Sequence, residues 1–315
     1  MSKAIEQLSS GLTVGHCGLG LYGDVAGSVK QQVHDGDTIN VRAFGNFSVR
    51  FAGIDTPEIS FTLPGKKTFI SISDERWDQF LIDPFDPSLP AFNEPLQQGL
   101  VDYLVEHTGV GTATNHYFHA LAAQRQLEHE VNNDLVELRQ TKEEFAFFLT
   151  FATDIMDRYG RMLAYINREQ KEPPRPLDYN GRMLQSGKAS PYFIWPNIPF
   201  RKQLTLRESV PEIGTANDIA NEEKTLRDSR RWVQEARQQG MGIFNRREPL
   251  KLQAFELRFL AQRRVPNRWV IDLSKNDDVL IHPQQYFTVP NVEDRLFVPD
   301  DFVPLFLEKG WILQE

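Results

Sequence analysis

The chain has 315 residues, 40% of them hydrophobic, with 35 Lys and Arg against 43 Asp and Glu, a formal net charge of −8 and one cysteine. That length and balance describe an ordinary soluble globular chain of one large or two modest domains. The lone Cys17 excludes an intrachain disulfide, no apolar run approaches the ~20 residues that span a bilayer, and Met1-Ser2-Lys3-Ala4-Ile5-Glu6-Gln7 lacks the apolar stretch of a secretory signal, so a cytoplasmic location is expected.

Residues 1–26 are rich in glycine and poorly periodic, and no strand-to-helix context makes them a phosphate-cradling loop. Residues 38–44 alternate apolar and polar, which predicts a half-buried strand. Gly45-Asn46 reads as a turn and 47–51 as the returning strand. Alternation then sends Arg50 to the face opposite Val49 and Phe51. Asp55-Thr56-Pro57-Glu58 follows as a loop at a strand end, where Pro57 fixes its own φ and biases Thr56 towards extended geometry. Residues 60–92 read as an insertion with room for a hairpin. Helices are predicted at about 93–108, with Leu96, Leu100, Val101, Leu104 and Val105 on one face, and at about 114–138. His116 and His119 share a face of the second helix; without a His-Glu-x-x-His pattern they are expected as a packed or solvated pair.

A strand run starts near Glu144, and 162–166 form another after Arg161. A proline-rich connection at 168–180 leads on to a long helix at about 217–239, capped by Thr215 or Asn217 and stopped by Gly240. Its packing face carries Ile219, Leu226 and Val233, leaving Arg230 and Arg231 to face solvent or substrate. Residues 250–315 read as a small appended α+β module: a strand set opens at 263–273, with 279–281 and 286–289 as pairing partners, and Asp300 or Asp301 caps a last helix ending at Gly310.

The chemistry-bearing residues fall in two blocks. The first runs from His34-Asp35-Gly36-Asp37-Thr38 to Val49-Arg50-Phe51-Ala52-Gly53-Ile54-Asp55-Thr56-Pro57-Glu58, and the second is Asp157-Arg158-Tyr159-Gly160-Arg161-Met162-Leu163-Ala164-Tyr165-Ile166. A phosphodiester resists attack because the nucleophile meets negative charge, so its hydrolysis needs cations around the phosphoryl group and a positioned water. Asp37 and Asp55 supply carboxylates and Thr56 a carbonyl for a hard cation such as Ca²⁺. Glu58 is left to orient or deprotonate the water, and Arg50 and Arg161 present forks that match two phosphate oxygens.

In this order the motifs resemble the staphylococcal-nuclease (thermonuclease) family. The resemblance covers roughly 25–59, 110–200 and a helix near 217–244, and it is strong in the two motif blocks. It implies a five-stranded OB-type β-barrel with packed helices that hydrolyses DNA and RNA with Ca²⁺. It implies Ca²⁺ ligation by Asp37, Asp55 and the Thr56 carbonyl, with Glu58 as general base or water-orienting group. Arg50 and Arg161 become phosphate clamps, the 5′ oxygen leaves and 3′-phosphate ends remain. Asp35 matches an acid near the metal that is not a principal ligand, and Tyr159 a tyrosine near the nucleotide. The family's late aromatic residues fall in 190–196, where Tyr192 or Trp195 is expected either to stack on substrate or to pack in the core.

The expected architecture is therefore α+β: an SNase-like domain over 1–249 with a helical and loop insertion at about 60–140, then the 250–315 extension. The loop after Glu58 departs from the family, being acidic where the family's is basic. Charge is also uneven: 201–270 hold 15 Lys/Arg against 9 Asp/Glu, and 60–150 hold 6 against 14. Such polarity either steers a polyanion or reflects solvated helix faces. The expected partners are DNA and/or RNA, not a membrane, with 250–315 available for a protein partner or self-association. The alternative function is a non-catalytic OB-type nucleic-acid-binding or scaffold protein.

Overall fold

A computed structural model describes residues 3–8, 13–33, 38, 40–157, 159–197 and 205–314. The chain is mixed α+β with small sheets and divides into two compact units, Met1–Phe51 with Leu149–Tyr165, and Ala52–Phe148 with Ile166–Glu315.

In the first unit the glycine-rich start is not idle. Ile5–Gln7 pairs antiparallel with Thr13–Gly15, and Cys17–Leu19 with Val41–Ala43. The strand at 41–43 thus finds its partner upstream instead of in the 47–51 segment. Phe44 N, which would close a 44–47 hairpin turn, donates instead to His16 O, and Asn46 O accepts from Ala4 N. Val49–Phe51 instead lies parallel to Met162–Ala164 in a three-stranded sheet with Phe147–Met156. A tight turn precedes Met162. Gly160 sits at φ 78°, a conformation that glycine adopts without a Cβ penalty. Asp157 Oδ1 accepts the main-chain N–H groups of Tyr159 and Arg161 at 2.9 and 3.0 Å, as aspartate does in turns.

The second unit has a continuous apolar core. Phe61, Ile72, Trp77, Leu81, Leu100 and Leu104 from the first half of the chain pack with Leu252, Leu257, Leu260, Val270, Tyr286 and Phe297 from the last quarter. Residues 250–315 therefore share a core with the 60–104 segment. That segment forms the hairpin Ser60–Thr62 with Phe69–Ser71, then the helices Glu75–Ile82 and Gln98–His107. Of the predicted helical stripe Leu100 and Leu104 are fully buried, while Val105 is exposed.

Other elements differ from the sequence-based reading for local reasons. The long helix expected at 217–239 is two, Ala216–Glu222 and Lys224–Gln239, because Glu223 adopts extended geometry and its side chain accepts from Leu226 N as an N-cap. Gly240 ends it in the left-handed region, as predicted. Arg268–Asp272 pairs antiparallel with Arg295–Pro299, and Phe193–Ile194 runs parallel to that strand, forming a sheet of three. Val279–Leu280 lies parallel to Ile312–Leu313 with one bridge from Ile281 to Val270, and Pro283–Thr288 is 3₁₀ helix, not strand.

The 27-residue helix Thr112–Leu138 carries a buried face of His116 with Ala113, Ala120 and Ala123, the three alanines being small enough to admit close neighbours. Asp134, 2% exposed, ends that face. It bonds Arg168 Nη1 at 2.9 Å, Arg182 Nη2 at 3.0 Å and Tyr179 Oη at 2.7 Å. Removing the carboxylate leaves buried Arg168 with Glu137 and half-buried Arg182 with Glu130 as their remaining acidic partners, and takes the acceptor from Tyr179. Asp134→Ala should therefore cost about 3–5 kcal/mol of unfolding free energy. Urea denaturation checks this, and a loss below about 1 kcal/mol, the range of exposed pairs, would show the network is not structural.

Candidate acidic site

The segment 52–58 is held from its main chain. Asn180 Nδ2 donates to Ala52 O at 2.8 Å, and Asn180 Oδ1 accepts from Ile166 N at 3.1 Å. Gly53 turns at φ 75°, and its carbonyl accepts Tyr192 N at 2.9 Å. Ile54–Asp55 then pairs antiparallel with Ser190–Pro191, placing Asp55 opposite Ser190. Three residues on, Glu58 N donates to His116 Nε2 at 2.8 Å. The other ring nitrogen of His116, Nδ1, lies 3.1 Å from Leu252 O and donates to it. A neutral imidazole with one acceptor and one donor satisfies both partners, whereas an imidazolium loses the acceptor.

The two carboxylates of this segment meet a cation from far along the chain. Arg258 Nη2 lies 2.7 Å from Asp55 Oδ2, and Nη1 lies 3.0 Å from Asp55 Oδ1 and 2.7 Å from Glu58 Oε1. Asp55 is 4% exposed, while the Glu58 side chain keeps 25% of its surface in contact with solvent. Burial alone would depress the guanidinium, but the facing Asp55 carboxylate outweighs it, with Glu58 adding, so Arg258 is held more firmly protonated than usual.

Arg258 belongs to the helix Ala254–Gln262, whose sequence AFELRFLAQ buries Ala254, Leu257, Phe259, Leu260 and Ala261. Glu256 on that helix, 0% exposed, accepts from Tyr286 Oη at 2.7 Å and Tyr103 Oη at 3.1 Å. The sequence reading passed over Arg258 and treated His116 only as half of a histidine pair. The available signal was a single Glu and a single Arg inside an apolar helix, since charged residues are rarely buried there without a partner.

The remaining predicted residues distribute as follows. Asp35 and Asp37 lie outside the described residues. Thr56 follows Asp55 and is half-buried. Arg50 belongs to the first unit, paired with Leu163 across the parallel strands, and Val49, Arg50 and Phe51 are all half-buried, so burial does not single out the Arg50 face. Arg161, also in the first unit, is bound to Asp157 Oδ2 through Nε at 2.8 Å and Nη2 at 2.7 Å. Its guanidinium carbon lies 5.4 Å from the ring centre of Tyr159, which is 38% exposed.

Tyr192 and Trp195 take the packing alternative. Tyr192 is stacked on Phe255 with centroids 5.5 Å apart, and its hydroxyl accepts from Arg268 Nη1 at 2.8 Å. Trp195 is 1% exposed, sits edge-on to Phe302 and Phe306 and donates Nε1 to Ser209 O at 3.2 Å. Much of the basic excess of 201–270 is likewise committed inside the protein. Arg230 pairs with Asp294 instead of facing substrate, Arg237 pairs with Glu293, and Arg263 donates to the Pro84 and Pro90 carbonyls. Arg227 and Arg231 remain exposed beside Asp228.

Ca²⁺ takes six to eight oxygen ligands. Of the implied donors Asp55 and Thr56 are described, and among the described residues no group of three or more His, Cys, Asp or Glu is placed to hold a metal. Both oxygens of Asp55 face the Arg258 guanidinium. With that pair closed, the described donors do not fit a divalent cation.

Burial pushes His116 down to about 4 from the ordinary 6.5. Above 6.5 the ring is neutral whether folded or unfolded. Below it the unfolded ring takes up a proton that the folded ring refuses, so this contribution is lost as pH falls from 6.5 towards 4, by roughly 3 kcal/mol in all. Urea midpoints across that interval should fall more steeply for the natural chain than for His116→Gln; equal slopes would remove the ring from the linkage. No protein-family model, curated protein or solved structure matches this chain.

Proposed function

We propose that the chain is a phosphodiester hydrolase acting on single-stranded DNA or RNA, built on an OB-type barrel with appended helices. The observation that carries this reading is the convergence of Asp55 and Glu58 on one guanidinium. The pairing of a buried and a half-buried carboxylate with one guanidinium supports reading the Asp-Thr-Pro-Glu segment as an electrostatic site. Glu58 combines a main chain anchored on a neutral histidine with a carboxylate that water can reach.

In this reading Glu58 orients the attacking water and accepts its proton as the new P–O bond forms. The resemblance assigns Arg50 and Arg161 to the charge that gathers on the non-bridging oxygens and Tyr159 to the nucleotide, with the 5′ oxygen leaving to give a 3′-phosphate. Asp157 holds the Nε and Nη2 edge of Arg161 and so orients the guanidinium. No step is assigned to Ca²⁺, which the resemblance implies and the described donors do not fit. A second reading, a non-catalytic nucleic-acid-binding protein, is favoured by Arg258 itself, which neutralises both carboxylates.

Cleavage of end-labelled single-stranded DNA and RNA, in Ca²⁺ and then in chelator, separates the two. The hydrolase cleaves, and Glu58→Gln lowers its rate by about 10²–10⁴-fold. Unchanged turnover would remove Glu58 from the chemistry, and binding without cleavage would establish the second reading. Arg50→Lys should lower the rate by about 10²-fold, because a point charge does not replace a planar fork at a developing charge. Near-normal turnover would make Arg50 structural.

A further inference from the structure

The first unit carries a cluster that the cleavage reading does not use. Residues 38–54 hold two arginines, three phenylalanines and no Asp or Glu, in a chain of net charge −8. We propose that Phe44 and Phe47, with Arg42 and Lys3 beside them, form a platform for single-stranded nucleic acid, where bases stack on the rings and phosphates meet the cations. The platform presupposes a chain that binds nucleic acid, and it lies outside every residue assigned to cleavage.

Three observations carry it. First, two aromatic rings stand exposed at one bend. Phe44 is 48% and Phe47 44% exposed, and every residue from 41 to 48 is exposed. Gly45, at φ 87°, bends the chain between them, and the backbone separates them by at most about 10 Å, so one short strand reaches both. Second, the Phe44 ring is pre-set. Gly18 faces Arg42 across the ladder of Cys17–Leu19 with Val41–Ala43. Because Gly18 has no side chain, the tip of the Phe44 ring fills the space above it, and a Cβ there would collide with the ring. The Arg42 guanidinium carbon lies 5.5 Å from the ring centre. A ring already held loses little freedom when a base stacks on it. Third, the cations are placed for phosphate. Arg42 is exposed, and Lys3, also exposed, pairs with Asn46 between the two rings in a parallel bridge. Rings interleaved with cations suit a polyanion that carries flat bases. An apolar protein segment would gain from the rings but would desolvate the cations beside them.

Fluorescence anisotropy of labelled oligo(dT) and oligo(rU) with the full chain, in chelator to hold back cleavage, tests this. Phe44→Ala should weaken binding about tenfold, the loss of one stacked base. Phe44→Trp should retain affinity and Phe44→Leu should lose it, since stacking needs a ring face and apolar area alone does not supply one. Gly18→Ala keeps every ring and cation but pushes Phe44 from its seat, so it should weaken binding severalfold. Arg42→Gln should lower the slope of log affinity against log salt by about 0.7, the share of one phosphate on a single strand. Urea midpoints matching that of the natural chain confirm that each variant is folded. The proposal is overturned if Phe44→Ala binds as tightly as the natural chain, or if Phe44→Leu matches Phe44→Trp. A natural chain that binds neither oligonucleotide overturns it together with both nucleic-acid readings. A chain that binds through this platform but cleaves nothing in Ca²⁺ keeps this inference and loses the hydrolase reading; cleavage with unchanged binding in the Phe44 variants does the reverse.

Discussion

A carboxylate closed off from water, as Asp55 is, is costly to leave without a partner. Arg258 answers that constraint with a fork matched to both carboxylate oxygens, and Glu58 shares the same guanidinium. Every nearby element bears on this contact. The pairing of Ile54–Asp55 with Ser190–Pro191 sets where the carboxylate emerges. The apolar face of Ala254–Gln262 sets where the guanidinium arrives. The core that buries that face draws on the 60–104 segment and on the C-terminal strands, so the insertion and the extension both help to build the site.

A second polar network in the same unit reaches the main chain of Ala52. Asn180 ties Ala52 to Ile166, and one residue earlier Tyr179 bonds Asp134, around which Arg168 and Arg182 gather. A short helix, Tyr179–Gln185, thus joins the charged interior of the long helix to the main chain leading to the acidic site. Buried charges of this kind add little net stability over an apolar core, but they are costly to leave half-made, which makes one arrangement preferable to its near alternatives.

The cation that Asp55 meets in the described structure is a guanidinium. A guanidinium offers directional bonds in a plane and a single charge, whereas a divalent ion takes several oxygens and pulls harder on each. Glu58 has its main chain fixed by neutral His116 and its carboxylate partly open to solvent. Arg50 and Arg161 lie in the other compact unit, which the chain enters and leaves through the strands flanking the two motif blocks.

What could be read from the amino-acid sequence follows from short-range geometry. Glycine at 240 ends a helix because it enters the left-handed region freely, and Asp157 with Gly160 makes the turn before Arg161. Leu226 and Val233 repeat on a buried face because the helical period puts them there. Those rules did not reach Glu223, whose competition as a cap splits one predicted helix into two, or the segment 41–43, whose strand partner lies upstream. The residue types and order that suggest phosphodiester chemistry were likewise visible. Their pairing was not, because Asp55 and Arg258 are 203 residues apart and no local propensity records a contact at that distance. By itself the sequence determined which charges the chain carries and where its turns and helix ends fall, since both depend on neighbours along the backbone. The tertiary structure alone decided that Tyr192 and Trp195 are packed and that an arginine from the last quarter of the chain faces Asp55, since burial and ion pairing depend on neighbours in space.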